Sequence, residues 1–464
     1  MGTKVFSVQG RRVVVVGAAR SGIAAAELAA RRGARVVLTE TRDDFDAVDR
    51  LRAQGVELEL GGHSAETLAA ADLIVTSPGV VTEQPVFDAA RTKEIEIIGE
   101  LEFASRWVAG RIIAITGTKG KSTTTTLIGR MLNASGRTAM LGGNIGTPLS
   151  AQVQQSTPET IHVVEASSFQ LETTTTFHPW IAVWLNLADD HLDRHPSVEA
   201  YAAAKARIFA NQDASDWVVL NADDATVVAY AARAKGRQVL FSPAGAVREG
   251  FVVDGEWIVR RTTAGVDRLV PVSAVELTGR HMLNNVLAAV ATTSIAGVHA
   301  EDMVKALRAF HGLPHVMEPV AQVRGVRFIN DSKATNVEAA RRSIESVERV
   351  VAIVGGRYKG GDFGDLAGAL ASRGRAVIAI GESAARVQAA LSRVVPVIEA
   401  RSMQEAVARA YEAAMPDGVV LLAPACSSFD WFRDYAERGE IFKQEVERLR
   451  EAIGNEGDKD AERR

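Results

Sequence analysis

The sequence predicts an α/β protein of three domains: a Rossmann-like N-terminal domain, a central domain with the sheet of a P-loop ATPase, and a Rossmann-like C-terminal domain. Two observations predict it. β-Branched runs such as residues 12–16 and 350–354 alternate with helix-like stretches, which is the pattern of parallel strands buried on both faces. The chain has 464 residues, which suggests about three domains at roughly 150 residues each.

We place the domain boundaries at residues 1–107, 108–313 and 314–453, followed by a charged tail at 454–464. The first domain has predicted strands at 12–16, 35–39 and 72–76, with a helix at 23–32. The central domain has strands at 112–115, 161–164 and 181–185, a small antiparallel subsheet within 241–272, and helices at 285–296 and 300–310. The third domain has strands at 328–329, 350–354, 376–380, 395–398 and 419–422.

The composition is that of an ordinary globular protein, with 47% hydrophobic and 24% charged residues. A net charge of −4 and the lack of a nucleic-acid-binding motif argue against a nucleic-acid partner. The single cysteine, Cys426, excludes an intrachain disulfide and fits a reducing compartment. No apolar run approaches the roughly 20 residues that cross a bilayer. We therefore expect a cytoplasmic protein without a membrane span.

A glycine-rich loop follows the strand at 112–115, with the sequence Thr-Gly-Thr-Lys-Gly-Lys-Ser-Thr at residues 116–123. Strand, glycine-rich loop, Lys-Ser and helix together cradle nucleotide phosphates, because backbone N–H groups and the helix N-terminus face the anion. Lys121 would contact the β- and γ-phosphates, and Ser122 or Thr123 would hold Mg²⁺. Gly117 stands only three residues before Gly120, so the generic P-loop spacing is not met. A plain glycine-rich turn is the alternative.

Two potential metal ligands follow neighbouring strands of the central domain. Glu165 comes after the strand at 161–164, and His191 comes shortly after the strand at 181–185. Both would lie at the sheet edge that carries the phosphate loop, where a carboxylate and an imidazole can hold a divalent cation. Considered alone, His191 is a surface histidine and Lys205 a solvated helix lysine.

The eight-residue loop has the tight form found in the Mur ligases and the folylpolyglutamate synthetases, and the whole chain resembles the Mur ligase family. The segment Asp-Ser-Lys-Ala-Thr-Asn at 331–336 is typical of the glutamate-adding member. The resemblance implies a ligase that joins D-glutamate to UDP-N-acetylmuramoyl-L-alanine with ATP and Mg²⁺, through an acyl phosphate. It also implies that Lys205 is carbamylated and, with Ser122, Glu165 and His191, positions the metal.

The same resemblance assigns the remaining site residues. The catalytic residues are Lys121, Glu165, His191 and Lys205. The ATP-binding residues are Gly117, Thr118, Lys119, Gly120, Lys121, Ser122, Thr123, Asn285, Asp331 and Lys333. The residues that bind the UDP substrate are Arg20, Ser21, Thr41, Arg42, Ser77, Pro78, Gly79, Asn144, Ser167 and Gln170. The glutamate-binding residues are Thr335, Lys359, Ser428, Phe429 and Tyr435.

Two positions depart from the family pattern. Val316 stands where an arginine usually contacts ATP, and Met282 stands where an asparagine is usual. Arg324 or Arg327 is a candidate replacement for the missing arginine.

Four alternatives remain open. The first is a ligase that adds L-glutamate. The second is a folylpolyglutamate synthetase, which is less favoured because the first hundred residues supply an extra nucleotide-sugar domain. The third is a P-loop switch, which would need no carboxylate–imidazole centre. The fourth is an oxidoreductase, which would need an intact dinucleotide fingerprint, but Ala19 replaces its central glycine in residues 17–22. We expect small-molecule partners and a monomer.

Overall fold

The computed structural model describes residues 6–188, 190–191, 194–275, 280–358 and 360–462. The strands within these residues form three sheets. The chain divides into two compact units, Met1–His311 and Gly312–Arg464, of which the first contains two sheets and the second contains one. None of the helices in the described ranges combines the length and the apolar character needed to span a bilayer.

The first sheet is parallel, with strand order β3-β2-β1-β4-β5. Val13 and Val15 pack into one hydrophobic cluster and Val14 and Val16 into another, which is why the first strand is apolar at every position. The strands are β1 (Arg12–Val16), β2 (Arg35–Glu40), β3 (Glu57–Leu60), β4 (Leu73–Thr76) and β5 (Ile97–Gly99). The helices are α1 (Arg20–Arg31), α2 (Val48–Ala53), α3 (Ala65–Ala69), α4 (Asp88–Thr92) and α5 (Glu100–Ser105). The helix predicted at 23–32 begins three residues earlier.

The second sheet has the order β14-β13-β12-β11-β10-β9-β6-β8-β7. Its strands are β6 (Arg111–Thr116), β7 (Ala139–Gly143), β8 (Ile161–Glu165), β9 (Ile181–Trp184), β10 (Trp217–Asn221), β11 (Arg237–Ser242), β12 (Gly250–Asp254), β13 (Trp257–Thr262) and β14 (Gly265–Pro271). β13 pairs antiparallel with both β12 and β14, in line with the antiparallel strands predicted within 241–272. They are not a separate subsheet, because β12 pairs with β11 and extends the central sheet.

Helices flank this central sheet and set the direction of its loops. They are α6 (Lys121–Ala134), α7 (Leu149–Gln152), α8 (Ser168–Glu172), α9 (Val198–Ala206), α10 (Ala225–Ala231), α11 (Arg280–Ile295) and α12 (Ala300–Arg308). The parallel strands β6, β8 and β9 are adjacent. Their carboxyl ends therefore deliver the phosphate loop, Glu165 and the segment after Trp184 to one edge, as the sequence predicts.

The third sheet has the order β15-β16-β20-β17-β18-β19. Its strands are β15 (Glu318–Val323), β16 (Val326–Asn330), β17 (Val350–Gly355), β18 (Gly374–Ile380), β19 (Val397–Glu399) and β20 (Val419–Leu422), and its helices are α13 (Val337–Glu345), α14 (Ala367–Arg373), α15 (Ala384–Leu391), α16 (Met403–Ala414) and α17 (Tyr435–Glu462). β15 is antiparallel to β16 and was not predicted. Helix α17 continues into the residues predicted as a charged tail.

Glu102 of α5 anchors the first sheet's last helix to a loop of the central sheet. Its buried carboxylate accepts hydrogen bonds from the backbone N–H groups of Thr175 (2.9 Å), Thr176 (3.0 Å) and Phe177 (2.9 Å), and from Arg106 Nε (2.8 Å). Burial raises the pKa of Glu102, but these bonds outweigh it and hold the pKa below its usual value. The carboxylate is therefore ionised and holds the loop in place.

Candidate active site

The phosphate loop occupies residues 117–120 between β6 and α6. Gly117 (φ 150°) and Gly120 (φ 84°) have positive φ angles, which glycine adopts without strain. Lys121 folds back over the loop, and its Nζ donates to the carbonyl oxygens of Gly117 and Thr118, each at 2.9 Å. A Cβ at Gly120 would stand 2.1 Å from Oδ1 of Asn285. The structure thus brings Asn285, predicted to bind ATP, against the loop.

Asn186 holds the loop in shape, and sequence reasoning did not single it out. Its Oδ1 accepts from the backbone N–H groups of Thr118 (3.0 Å) and Lys119 (2.9 Å), and its Nδ2 donates to the carbonyl of Lys119 (3.0 Å). The sequence feature that could have identified Asn186 is its position two residues after β9, at the sheet edge where polar residues follow parallel strands.

Glu165 is the last residue of β8 and is buried. Its Oε2 accepts from Ser122 Oγ at 2.7 Å, and its Oε1 accepts from Asn144 Nδ2 at 2.8 Å. These bonds join β8, the start of α6 and the loop after β7. Two oxygen ligands suited to Mg²⁺, the carboxylate of Glu165 and the hydroxyl of Ser122, are therefore in contact.

Lys205 of α9 is 1% exposed, although its helix position alone indicates a solvated lysine. Its Nζ donates to the carbonyl of Gly117 at 2.9 Å and lies 4.3 Å from the ring centroid of Tyr201. Burial, and then the charge of Lys121, lower the pKa of Lys205 to about 6 against the attraction of Asp190 and Glu165. Its amine is therefore largely neutral at pH 7.

His191 is half-exposed and reaches this cluster through aromatic contacts. Its ring centroid lies 5.0 Å from that of Phe169 and 6.0 Å from that of Tyr201, whose hydroxyl is 3.4 Å from Thr118 Oγ1. Its Nδ1 is 4.0 Å from a carboxylate oxygen of Asp190. Lys121, Glu165 and Lys205 thus contact the phosphate loop or the first turn of α6, and His191 is linked to them through the ring of Tyr201.

The loops of the first sheet are organised by Glu40, the last residue of β2. Its carboxylate accepts from the backbone N–H of Ala18 at 2.6 Å and from the side chains of Thr41 (3.0 Å) and Arg42 (3.2 Å). Burial raises the pKa of Glu40, but these hydrogen bonds bring it down to about 2. Glu40 is therefore ionised and stabilises the loop that carries Thr41 and Arg42.

The other residues predicted to bind the UDP substrate lie on neighbouring loops. Arg20 donates to the carbonyl of Gly146 at 3.1 Å, next to the Asn144 loop, and Ser77 Oγ donates to the carbonyl of Gly17 at 2.9 Å. Pro78 and Gly79 form the turn after β4, and Ser21 lies in the first turn of α1. These contacts place the predicted residues on adjoining loops of the first unit.

Ser167 and Gln170 form a capping box at the start of α8. Ser167 Oγ accepts from the backbone N–H of Gln170 at 3.2 Å, and Gln170 Oε1 accepts from the backbone N–H of Ser167 at 3.0 Å. Gln170 Nε2 is buried without a hydrogen-bond partner in the described structure. Such a donor costs free energy unless a ligand satisfies it.

In the second unit, Asp331, Lys333 and Thr335 lie just after β16. Asp331 is buried and accepts from the hydroxyl of Ser343 and from the backbone N–H of Met317 (3.2 Å), and burial raises its pKa above the usual value. The glutamate-binding candidates that follow β20 are a buried Ser428, an exposed Phe429 and a partly exposed Tyr435. Lys359 lies outside the described residues.

These features define a nucleotide-binding α/β protein with a phosphate loop beside a carboxylate and a buried neutral lysine. Residues 11–99 match the model of the MurD-like Mur ligase N-terminal domain, residues 115–293 the Mur ligase middle domain, and residues 317–426 the Mur ligase glutamate ligase domain. The chain belongs to the Mur ligase family.

Curated relatives match over nearly the full length. The chain is 45% identical over 448 residues to the UDP-N-acetylmuramoylalanine–D-glutamate ligase of Acidobacterium capsulatum, covering 95% of this chain and 97% of the relative. It is 42% identical over 450 residues to the ligase of the same name from Koribacter versatilis, covering 96% and 99%.

Solved structures share the fold. UDP-N-acetylmuramate-alanine ligase MurC from Thermotoga maritima superposes with a TM-score of 0.57 at 19% identity, covering 95% of this chain and 100% of that one. A pseudomurein peptide ligase type C from Methanothermus fervidus gives 0.51 at 18% identity, with the same coverage. The three-sheet α/β architecture is therefore the architecture of the family, as predicted.

Proposed function

We propose that this protein catalyses the ATP-dependent addition of D-glutamate to UDP-N-acetylmuramoyl-L-alanine in peptidoglycan precursor synthesis, releasing ADP and phosphate. The observation that carries the proposal is the convergence of three side chains at the phosphate loop: Lys121 and Lys205 both donate to the carbonyl of Gly117, and Glu165 accepts from Ser122 at the start of α6. The identity to curated D-glutamate ligases supports the choice of amino acid.

The proposed reaction has two steps. The substrate carboxylate attacks the γ-phosphorus of ATP, so that ADP leaves and an acyl phosphate forms. The amine of glutamate then attacks the acyl carbon and expels phosphate, which leaves an amide bond. Lys121 would stabilise the charge that develops on the transferring phosphoryl group.

The residues around the loop fit Mg²⁺, because Ser122 and Glu165 offer oxygen ligands and His191 lies on the same cluster. Bound there, the ion would neutralise phosphate charge. Lys205 offers a buried, largely neutral amine, the form that takes up CO₂ to become a carbamate. A carbamylated Lys205 would add a fourth ligand, an oxygen donor beside Ser122, Glu165 and the ring nitrogen of His191; this role is proposed from the family resemblance.

The remaining binding roles concern the two parts of the UDP substrate. The loops that carry Arg20, Thr41, Arg42 and Ser77 would hold the uridine diphosphate, and Asn144 and Gln170 the muramoyl-alanine part. The unpartnered amide of Gln170 supports that role. We further propose domains at 1–107, 108–313 and 314–453, and a monomer acting in the cytoplasm, where ATP is available.

The proposal is tested by phosphate release with UDP-N-acetylmuramoyl-L-alanine and each glutamate enantiomer in turn. We expect release with D-glutamate and its loss in Lys121→Ala. Release with L-glutamate alone would favour the stereochemical alternative, and release with a folate acceptor would favour the folylpolyglutamate reaction. Release with none of these substrates would refute the proposal.

A further inference from the structure

Arg438 is a buried arginine in the first turn of α17, and 1% of it is exposed. Its Nε donates to Ser332 Oγ at 2.9 Å, its Nη2 to the carbonyl of Ser332 at 2.8 Å, and its Nη1 to the carbonyl of Cys426 at 3.2 Å. Within the part of the chain that the structure describes, none of its hydrogen-bond partners is a carboxylate. The guanidinium group of Arg438 therefore donates its hydrogen bonds to backbone carbonyl and hydroxyl oxygens.

These contacts join the segments that follow three neighbouring strands. Ser332 follows β16 and Cys426 follows β20. Gly356 follows β17, and a Cβ on it would stand 3.4 Å from Nη1 of Arg438. The first segment continues to Thr335 and the second to Ser428, two residues that the family resemblance assigns to glutamate binding. One side chain thus fixes the spacing between the segments that carry both.

Burying the charged side chain of Arg438 lowers the stability of the fold. Burial lowers the pKa of Arg438 to about 10, against the attraction of the nearby Asp430 carboxylate, and the group stays protonated at neutral pH. A cation in the first turn of a helix is also repelled by the positive end of the helix dipole. The hydrogen-bond partners of Arg438 are neutral and Asp430 acts on it only through its charge, so positive potential remains for an anionic ligand.

We propose that Arg438 is a positioning residue of the amino-acid subsite: it fixes the Ser332 and Cys426 segments and adds positive charge that attracts the carboxylates of glutamate. The inference rests on the proposed function and assigns to a residue outside the predicted site a part in binding the second substrate. The two contributions of Arg438 can be distinguished by experiment, because a lysine in its place keeps the positive charge but lacks the forked donors of the guanidinium group.

The test uses the full chain and compares Arg438→Gln, Arg438→Lys and Ser332→Ala, with Arg433→Gln as the matched control. Arg433 lies just before the same helix, is exposed and pairs with Glu437. The Michaelis constants (KM) for D-glutamate, ATP and the UDP substrate are measured by phosphate release, and folding by thermal melting. We expect Arg438→Gln to raise the KM for glutamate about ten- to a hundredfold. The KM for the UDP substrate should not change. The KM for glutamate of Arg438→Lys should lie between those of the wild type and Arg438→Gln.

The outcomes are distinguishable. If the wild type turns over glutamate but the folded variants keep its KM, or raise all three KM values equally, the inference is overturned. If Arg438→Gln does not fold, Arg438→Lys and Ser332→Ala decide, and an unchanged glutamate KM in both overturns it. Wild-type protein that releases no phosphate with either enantiomer refutes the proposed function instead.

Discussion

The side-chain nitrogen of Lys205 lies 2.9 Å from the carbonyl oxygen of Gly117, so a lysine of α9 contacts the first glycine of the phosphate loop. That carbonyl also accepts from Lys121 at 2.9 Å. Burial, and then the charge of Lys121, lower the pKa of Lys205 to about 6, so its amine is largely neutral at pH 7.

Lys205→Met should stabilise the protein at neutral pH. The pKa of Lys205 is about 6 in the folded protein against 10.5 ordinarily, so between these values the unfolded chain binds a proton that the folded chain does not. The free energy of unfolding of the wild type therefore rises with pH across this range. We expect the variant to be more stable by about 1 kcal/mol or more at pH 7, and the difference to shrink towards pH 10.

The measurement is urea denaturation at both pH values in bicarbonate-free buffer. Methionine keeps an apolar stem, and the Gly117 carbonyl keeps its bond from Lys121. A variant no more stable than the wild type at pH 7 would contradict the prediction that burial of the Lys205 amine costs stability at neutral pH.

Lys205→Ala should abolish ligation, and short carboxylic acids should restore part of it. Removing the side chain leaves a cavity beside Gly117 in which formate or acetate can supply the oxygens of the proposed carbamate. We expect the turnover number to fall about a hundredfold or more. The recovery with acetate is measured by phosphate release at constant ionic strength. Lys235→Ala, at an exposed lysine, is the control, and equal effects of chloride and acetate would contradict the carbamate role.

Gly120→Ala should weaken ATP binding at least about tenfold through distortion of the phosphate loop. The new Cβ would lie 2.1 Å from Asn285 Oδ1, at a φ of 84°. Gly136→Ala is a matched control, because Gly136 has a φ of 80° with nothing within 4 Å of the added Cβ. Titration calorimetry with ATP should show a loss in the first variant alone. The same loss in both would mean that backbone strain, not the Asn285 contact, is responsible.

Much of this site could be predicted because its signals are local. The glycine-rich loop, Glu165 and the strands around them follow one another within short stretches, so periodicity and spacing suffice. Asn186 and Arg438 could not be predicted in the same way, because their partners lie 67 and 106 residues away in the sequence. The burial of Lys205 likewise depends on a contact 88 residues distant.

The fold shows the same limit. The apolar strand β1 is buried on both faces and was predicted at its observed bounds, whereas β3 and β15 were missed. β15 is only partly buried and contains Pro319, so neither its pattern nor its composition indicates a strand. It forms because β16 offers an edge for pairing.

Glu102→Gln should destabilise the first unit by about 2–4 kcal/mol. The amide keeps the shape of the side chain but presents an NH₂ group where the carboxylate accepts backbone N–H groups. Urea denaturation of the full chain measures the loss, and Glu66→Gln, at an exposed position of α3, is the control. Equal stabilities of the two variants would mean that the Thr175–Phe177 loop holds its conformation without Glu102.

Val316→Arg should strengthen ATP binding. Val316 occupies the position where the family pattern has an arginine that contacts ATP, and its side chain is only half-buried in the turn that leads from Leu313 to Met317. A guanidinium there could add one charge-assisted hydrogen bond to phosphate, so we expect the dissociation constant to fall about ten- to a hundredfold. Val316→Gln, which adds length without charge, separates the two contributions in the same calorimetric titration. If arginine leaves the affinity unchanged, the wild type already meets that phosphate with another cation. Arg324→Ala and Arg327→Ala would then identify it, because the residue that replaces the missing arginine should weaken ATP binding when it is removed.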